Sequence, residues 1–176
     1  MIGVGDRFPE FSMTATVSTD MASAFKTVSD KDYPGKWLVV FFYPKDFTFV
    51  CPTEIAGFSA LNDKFVGRNA QVLTASVDNE YVHLAWMKDK KELNNLAFPM
   101  LSDLKRELSG ALGIIDRQEG VSQRAAFIVD PNRIVRFVYV TDLGVGPNPM
   151  EVLRVLDALQ TGELTPCAWQ KGEATL

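Results

Sequence analysis

The stretch WLVVFFY, residues 37–43, is apolar or aromatic at every position. Successive side chains of a strand point to opposite faces, so an uninterrupted apolar run needs cover on both sides. QVLTASVD, residues 71–78, is a second β-rich run of the same kind. Between them Ile55, Phe58, Leu61 and Phe65 recur close to the helical period, which predicts a helix over Thr53 to Phe65 and hence a β-α-β unit.

Downstream, Val82, Leu84, Trp86 and Met87 predict a helix over Glu80 to Leu93, with Pro99 as a stop. Ser102 and Asp103 are expected to cap a short helix that runs toward Leu112 and closes at Gly113. AAFIVD (125–130), a Pro-Asn turn and IVRFVYVT (134–141) read as a hairpin, and Pro149 to Leu159 as a last helix. The order β-α-β-α-β-β-α, after an N-terminal extension, predicts an α/β layer fold with a mixed sheet.

A chain of 176 residues, 47% hydrophobic and 23% charged, suits one globular domain with a substantial core. The net charge of −4 and the shortness of the densest basic cluster, Lys88 to Lys91, argue against nucleic acid as a partner. The longest apolar run is far below the roughly 20 residues that span a bilayer. The start, MIGVGDRFPEF, has no basic region followed by an apolar one, so a cytoplasmic protein with no membrane partner is expected. Two cysteines do not make a disulfide scaffold, and with the sole histidine, His83, they are too few for a convincing metal site; neither a metal nor another cofactor is expected.

One of the two cysteines, Cys51, falls at the end of the strand-to-helix connection FFYPKDFTFVCPTE (41–54). At a helix N-terminus, unpaired N–H groups and the positive end of the dipole favour an anion, so a thiolate is stabilised there. Pro52 suits the first helical position, Pro44 ends the strand, and Thr48 can place a hydroxyl beside the sulfur. Position alone leaves two readings, a nucleophile or a small buried hydrophobe. A Cys–His dyad would have to use His83, whose helical context suits a packed or surface side chain better.

The spacing Pro-x-x-x-Thr-x-x-Cys at Pro44, Thr48 and Cys51, within FYPKDFTFVCPTE, closely resembles the active-site loop of the peroxiredoxins, thiol peroxidases of thioredoxin-like fold. The resemblance extends through GVGDRFPEF, SVDNEYVHLAW, FPMLSDLKRELSGALGI, RAAFIVDPN and CAWQKG, and is greatest to the typical 2-Cys, AhpC-type alkyl hydroperoxide reductases. It implies a thioredoxin-like domain over 1–160 and a tail over 161–176 carrying the second cysteine. It also implies reduction of hydrogen peroxide and organic hydroperoxides, with Cys51 as peroxidatic thiolate and sulfenic acid. Thr48 would bond the peroxide, Pro44 would shield the sulfur from water, and Arg124 would steady the charge. Glu54 would orient Arg124, and Trp86 would pack around the site; apart from the resemblance, Glu54 is an ordinary first-turn acid and Trp86 plain core. Cys167, in a tail of mobile composition (GELTPCAWQKG), would resolve the sulfenic acid as a disulfide with a partner subunit. The same likeness implies a thioredoxin-like, AhpF-like or AhpD-like reductant and a homodimer assembled into a decameric or dodecameric ring.

This sequence departs from the family pattern in three places. Many relatives have an arginine after the Val-Gly that follows the last strand, where this chain has Pro147 in GVGPNP. The Gly-Gly-Leu-Gly insertion of peroxide-sensitive members is missing between Glu92 and Pro99, and the chain lacks their Tyr-Phe tail helix. The last two departures predict faster local unfolding around Cys51 and resistance to overoxidation.

Overall fold

In the structure, a computed structural model describing residues 1–176, the two apolar runs lie side by side at the centre of one seven-stranded sheet. Its strands are β1 (Ser12–Thr16), β2 (Phe25–Ser29), β3 (Trp37–Phe42), β4 (Ala70–Ser76), β5 (Met100–Ser102), β6 (Arg124–Val129) and β7 (Val135–Thr141), in the order β2-β1-β5-β4-β3-β6-β7. The β3–β4 and β4–β5 pairs are parallel and the others antiparallel, giving the expected mixed sheet. The helices are α1 (Cys51–Ala60), α2 (Asn62–Val66), α3 (Glu80–Asp89), α4 (Glu107–Leu112) and α5 (Pro149–Thr161). None is long and apolar enough to cross a membrane.

Alternation along β3 explains its unbroken apolar sequence. Val39, Phe41 and, one residue past the strand, Tyr43 enter one core with Ile55, Phe58, Phe65, Trp86, Val152 and Leu156 from α1, α2, α3 and α5. Leu38, Val40 and Phe42 enter the other, closed by Phe8 and Phe11 of the N-terminal segment and Leu108 and Leu112 of α4. Every side chain from Leu38 to Tyr43 is fully buried. The rings of Phe41 and Phe58 stack at 4.0 Å, fastening α1 to the sheet.

Several elements differ from the sequence expectation. The predicted helix over Thr53 to Phe65 begins at Cys51 and breaks at Leu61, whose φ of −102° and ψ of 0° separate α1 from α2. The predicted helix over Glu80 to Leu93 ends at Asp89, and a 3-10 turn, Lys91–Leu93, carries Leu93 into the core. Ser102 belongs to a three-residue strand rather than to a cap. Asp103 does cap α4, but from a distance: its carboxylate accepts the Leu108 and Ser109 backbone N–H groups at 3.1 and 2.8 Å. The N-terminal extension contains the β1–β2 hairpin, which lies at one edge of the sheet.

Candidate active site

At the end of β3 the chain leaves the sheet through Tyr43 and Pro44 and re-enters regular structure at Cys51, the first residue of α1. The antiparallel register pairs Phe42 with Ala125, so Arg124, at the start of β6, arrives beside that same turn. Residues 73 positions apart therefore meet: Arg124 Nη1 lies 3.3 Å from Cys51 Sγ. The Thr48 hydroxyl is 2.9 Å from the same sulfur and 2.9 Å from the Lys45 carbonyl. Its single hydrogen serves one of them at a time. Pro44 is buried alongside, and Cys51 itself has no exposed surface.

Arg124 is held at two further points. Nε donates to the Leu143 carbonyl at 2.7 Å and Nη1 to Glu54 Oε2 at 2.5 Å. The first contact was not legible in the sequence, because it comes from the turn after β7. Glu54 is only 3% exposed and its Oε1 has no hydrogen-bond partner. Burial pushes its carboxyl up to about 7, although the Arg124 charge and hydrogen bond pull the other way. Segment 142–147 closes this side: a Cβ placed on Gly146 would lie 3.4 Å from Val50 Cγ1 and 3.5 Å from Glu54 Cγ. Pro147 is buried next to it, and Arg124 is the one arginine bonded to Cys51 or Glu54.

Sequence reasoning missed a buried polar network under the loop. Tyr43 donates its phenol hydrogen to Asp46 Oδ1 at 2.7 Å, and Asp46 Oδ2 lies 2.7 Å from His83 Nδ1. His83 Nε2 faces the Leu101 carbonyl at 3.3 Å, and the Asp46 N–H donates to Asp78 Oδ2 at 2.9 Å. Burial, reinforced by the Asp46 charge, pushes the Tyr43 phenol well above its ordinary value, so it stays a neutral donor. His83 is thus a satisfied core side chain, and the signal that could have found it was the lone aspartate inside an aromatic loop. Trp86 packs against Tyr43 and Phe47, with ring centroids 5.7 and 6.1 Å apart. Asp46→Ala leaves the buried Tyr43 hydroxyl and His83 without their acceptor. It is expected to cost about 3 kcal/mol, seen as a melting temperature lower by roughly 6–12 °C, and to slow any reaction at Cys51.

Cys167 lies away from this cluster, exposed in a groove of about 470 Å³ between the tail and α5, with Arg154, Val155 and Leu159 among its walls. The tail that composition suggests is mobile is docked here. Trp169 is 4% exposed, its carbonyl accepts from Arg154 Nη1 at 3.0 Å, and Lys171 pairs with Asp157 at 3.2 Å. Composition misses this because one tryptophan, one hydrogen bond to its carbonyl and one ion pair do the anchoring.

The profile of the AhpC/TSA family matches residues 4–138. A curated relative, alkyl hydroperoxide reductase C of Mycolicibacterium smegmatis, is 53% identical over 100% of this chain and 94% of its own. The protein of that name from Mycobacterium tuberculosis is 50% identical with the same coverage. Among solved structures, Mycobacterium bovis AhpC superposes with a TM-score of 0.88 at 49% identity, covering 97% of this chain and 99% of that one. A reduced 2-Cys peroxiredoxin of Plasmodium vivax gives 0.91 at 36% identity over 99% and 93%. With the matched profile spanning both Cys51 and Arg124, and half the residues shared with relatives along the full chain, this protein belongs to the AhpC/TSA family.

Proposed function

We propose that this chain is a thiol-dependent peroxidase that reduces hydrogen peroxide and organic hydroperoxides to water and alcohols, with Cys51 as the reacting residue. The observation that carries the reading is a buried sulfur on a helix N-terminus, with the Thr48 hydroxyl and the Arg124 guanidinium both within hydrogen-bond reach. The names of its relatives support it. The thiolate electron pair forms an S–O bond as the O–O bond breaks. The leaving oxygen departs as hydroxide or alkoxide and takes a proton, and Cys51 becomes a sulfenic acid. Thr48 and Arg124 are placed to hold the peroxide and spread the developing charge, while Pro44 keeps water from the sulfur.

Cys167 of a second subunit then attacks the sulfenic sulfur, forming the Cys51–Cys167 disulfide and releasing water. A thioredoxin-like, AhpF-like or AhpD-like dithiol restores both thiols. The exposure of Cys167 and its separation from Cys51 favour this intersubunit route, with tail 161–176 as the unit that moves. The outer edge of β7, carrying half-buried Phe137 and Tyr139, offers a surface for the homodimer from which a ring of ten or twelve subunits is built. The cytoplasm, a reducing compartment, suits such a cycle. After one equivalent of peroxide, non-reducing electrophoresis is expected to show a dimer band that reductant removes and that either Cys51→Ser or Cys167→Ser abolishes. A monomer band alone would overturn the intersubunit step.

A further inference from the structure

Around Cys51 the fold buries two groups able to carry negative charge and one that carries positive charge. Arg124 Nη1 is within reach of both Glu54 Oε2 and Cys51 Sγ, at 2.5 and 3.3 Å. The other anchor of the guanidinium is a neutral carbonyl. Glu54 Oε1 is buried and unpartnered, and the segment passing over it contributes Gly146 and then Pro147, which has no N–H to offer. Surrounding charges are engaged elsewhere. Asp142 is exposed and accepts from the Gly144 N–H, Lys45 pairs with Glu119, Asp46 holds Tyr43 and His83, and Glu151 of α5 pairs with Arg154. One cation therefore faces two anions in a place where an uncompensated charge is costly.

Resting on the assignment of Cys51 as the reacting thiol, we propose that Glu54 and Cys51 share one proton across Arg124, and that the reactive form is Glu54 as the neutral acid beside Cys51 as thiolate. Glu54 is then a positioning residue that also competes with the sulfur for the guanidinium. With the proton on Oε1, Oε2 still accepts from Arg124, so the arrangement of the site survives protonation. The upward push that burial gives the Glu54 carboxyl, to about 7, keeps this proton resident near neutral pH. As pH rises through that value Glu54 ionises and places a second negative charge next to the sulfur. The two groups titrate as a coupled pair, and thiolate formation is spread over a broader range than for a lone thiol.

The test compares Glu54→Gln with the parent protein, both carrying Cys167→Ser, and follows thiolate ultraviolet absorbance and the rate of peroxide consumption against pH. Glutamine accepts the Arg124 hydrogen bond but cannot become an anion. The expected result is a single sharp thiolate transition displaced to the acid side, so that at the parent midpoint, where half of the parent sulfur is thiolate, most of the variant's sulfur is already ionised. A residue that merely holds Arg124 gives an unchanged or alkaline-shifted curve, which overturns the proposal. The infrared band of a protonated carboxyl gives a readout independent of that variant's folding. In Cys51→Ser, where no thiolate forms, the band is expected to vanish at lower pH than in the parent, and coincident curves would overturn the sharing. If neither member of the Glu54 pair consumes peroxide, the peroxidase reading falls, while the titrations still decide whether the proton is shared.

Discussion

Cys51→Ser is expected to abolish peroxide turnover, whereas Cys167→Ser is expected to consume about one equivalent of peroxide per site and then stall. A serine hydroxyl at the start of α1 keeps the helix but supplies no thiolate. In the Cys167 variant the first sulfur still reacts and then has no thiol to resolve it. A small thiol added to stalled Cys167→Ser attacks the sulfenic acid in its place, so turnover resumes, and this separates a resolving defect from a folding defect. Following peroxide loss spectroscopically with each variant settles the matter. Continued turnover in Cys51→Ser would remove the peroxidase assignment, and unimpaired turnover in Cys167→Ser without added thiol would remove the second cysteine from the cycle.

Arg124→Met carries the second large effect, and it acts on activity and stability together. Loss of the donor beside the sulfur is expected to lower the rate of the first step by about 10²–10³. It also leaves Glu54 buried without its partner, the situation that costs about 3–5 kcal/mol when one half of a buried pair is removed. The sign with pH follows from Glu54. Its folded value, about 7, lies above its ordinary 4.5, so the folded state binds the proton more tightly and this group's contribution to stability declines as pH rises from 4.5 through 7. Without Arg124 to favour the anion, that value rises further, and the variant's deficit in thermal unfolding is expected to widen at alkaline pH. Arg124→Lys retains a charge but not the forked geometry and is expected to fall between the two. Less than a tenfold rate loss in Arg124→Met would show that Thr48 and the helix end suffice at the sulfur.

What could be read from the sequence follows how local each cause is. β3 was legible because its two buried faces leave no polar position, and the Pro44–Thr48–Cys51 spacing was legible because one turn brings those residues together. β1, β2 and β5 were not: SMTAT and FKTVS are short and half polar, and MLS is three residues long, so each is a strand only by virtue of the neighbour it pairs with. Arg124 entered the reading through family resemblance alone, since its position beside Cys51 depends on the register of β3 against β6. The Tyr43–Asp46–His83 network stayed hidden for the same reason, its members coming from a strand end, a loop and α3.

The first turn of α1 lacks the side-chain oxygen that usually closes a helix start. Val50 occupies the capping position and accepts backbone bonds from Thr53 and Glu54, but its side chain contributes none. The Cys51 sulfur lies at that end, facing the positive pole of the helix dipole and 3.3 Å from Arg124 Nη1. If Cys51 reacts as the proposed thiolate, oxidation to sulfenic acid discharges the sulfur and weakens its attraction to the helix end and Arg124. The helix start would then behave as a latch released by the chemistry it guards. On the proposed cycle, Cys51 would open to another subunit only after a peroxide has been spent, and the lifetime of the closed form would set how long a second peroxide has to strike the same sulfur.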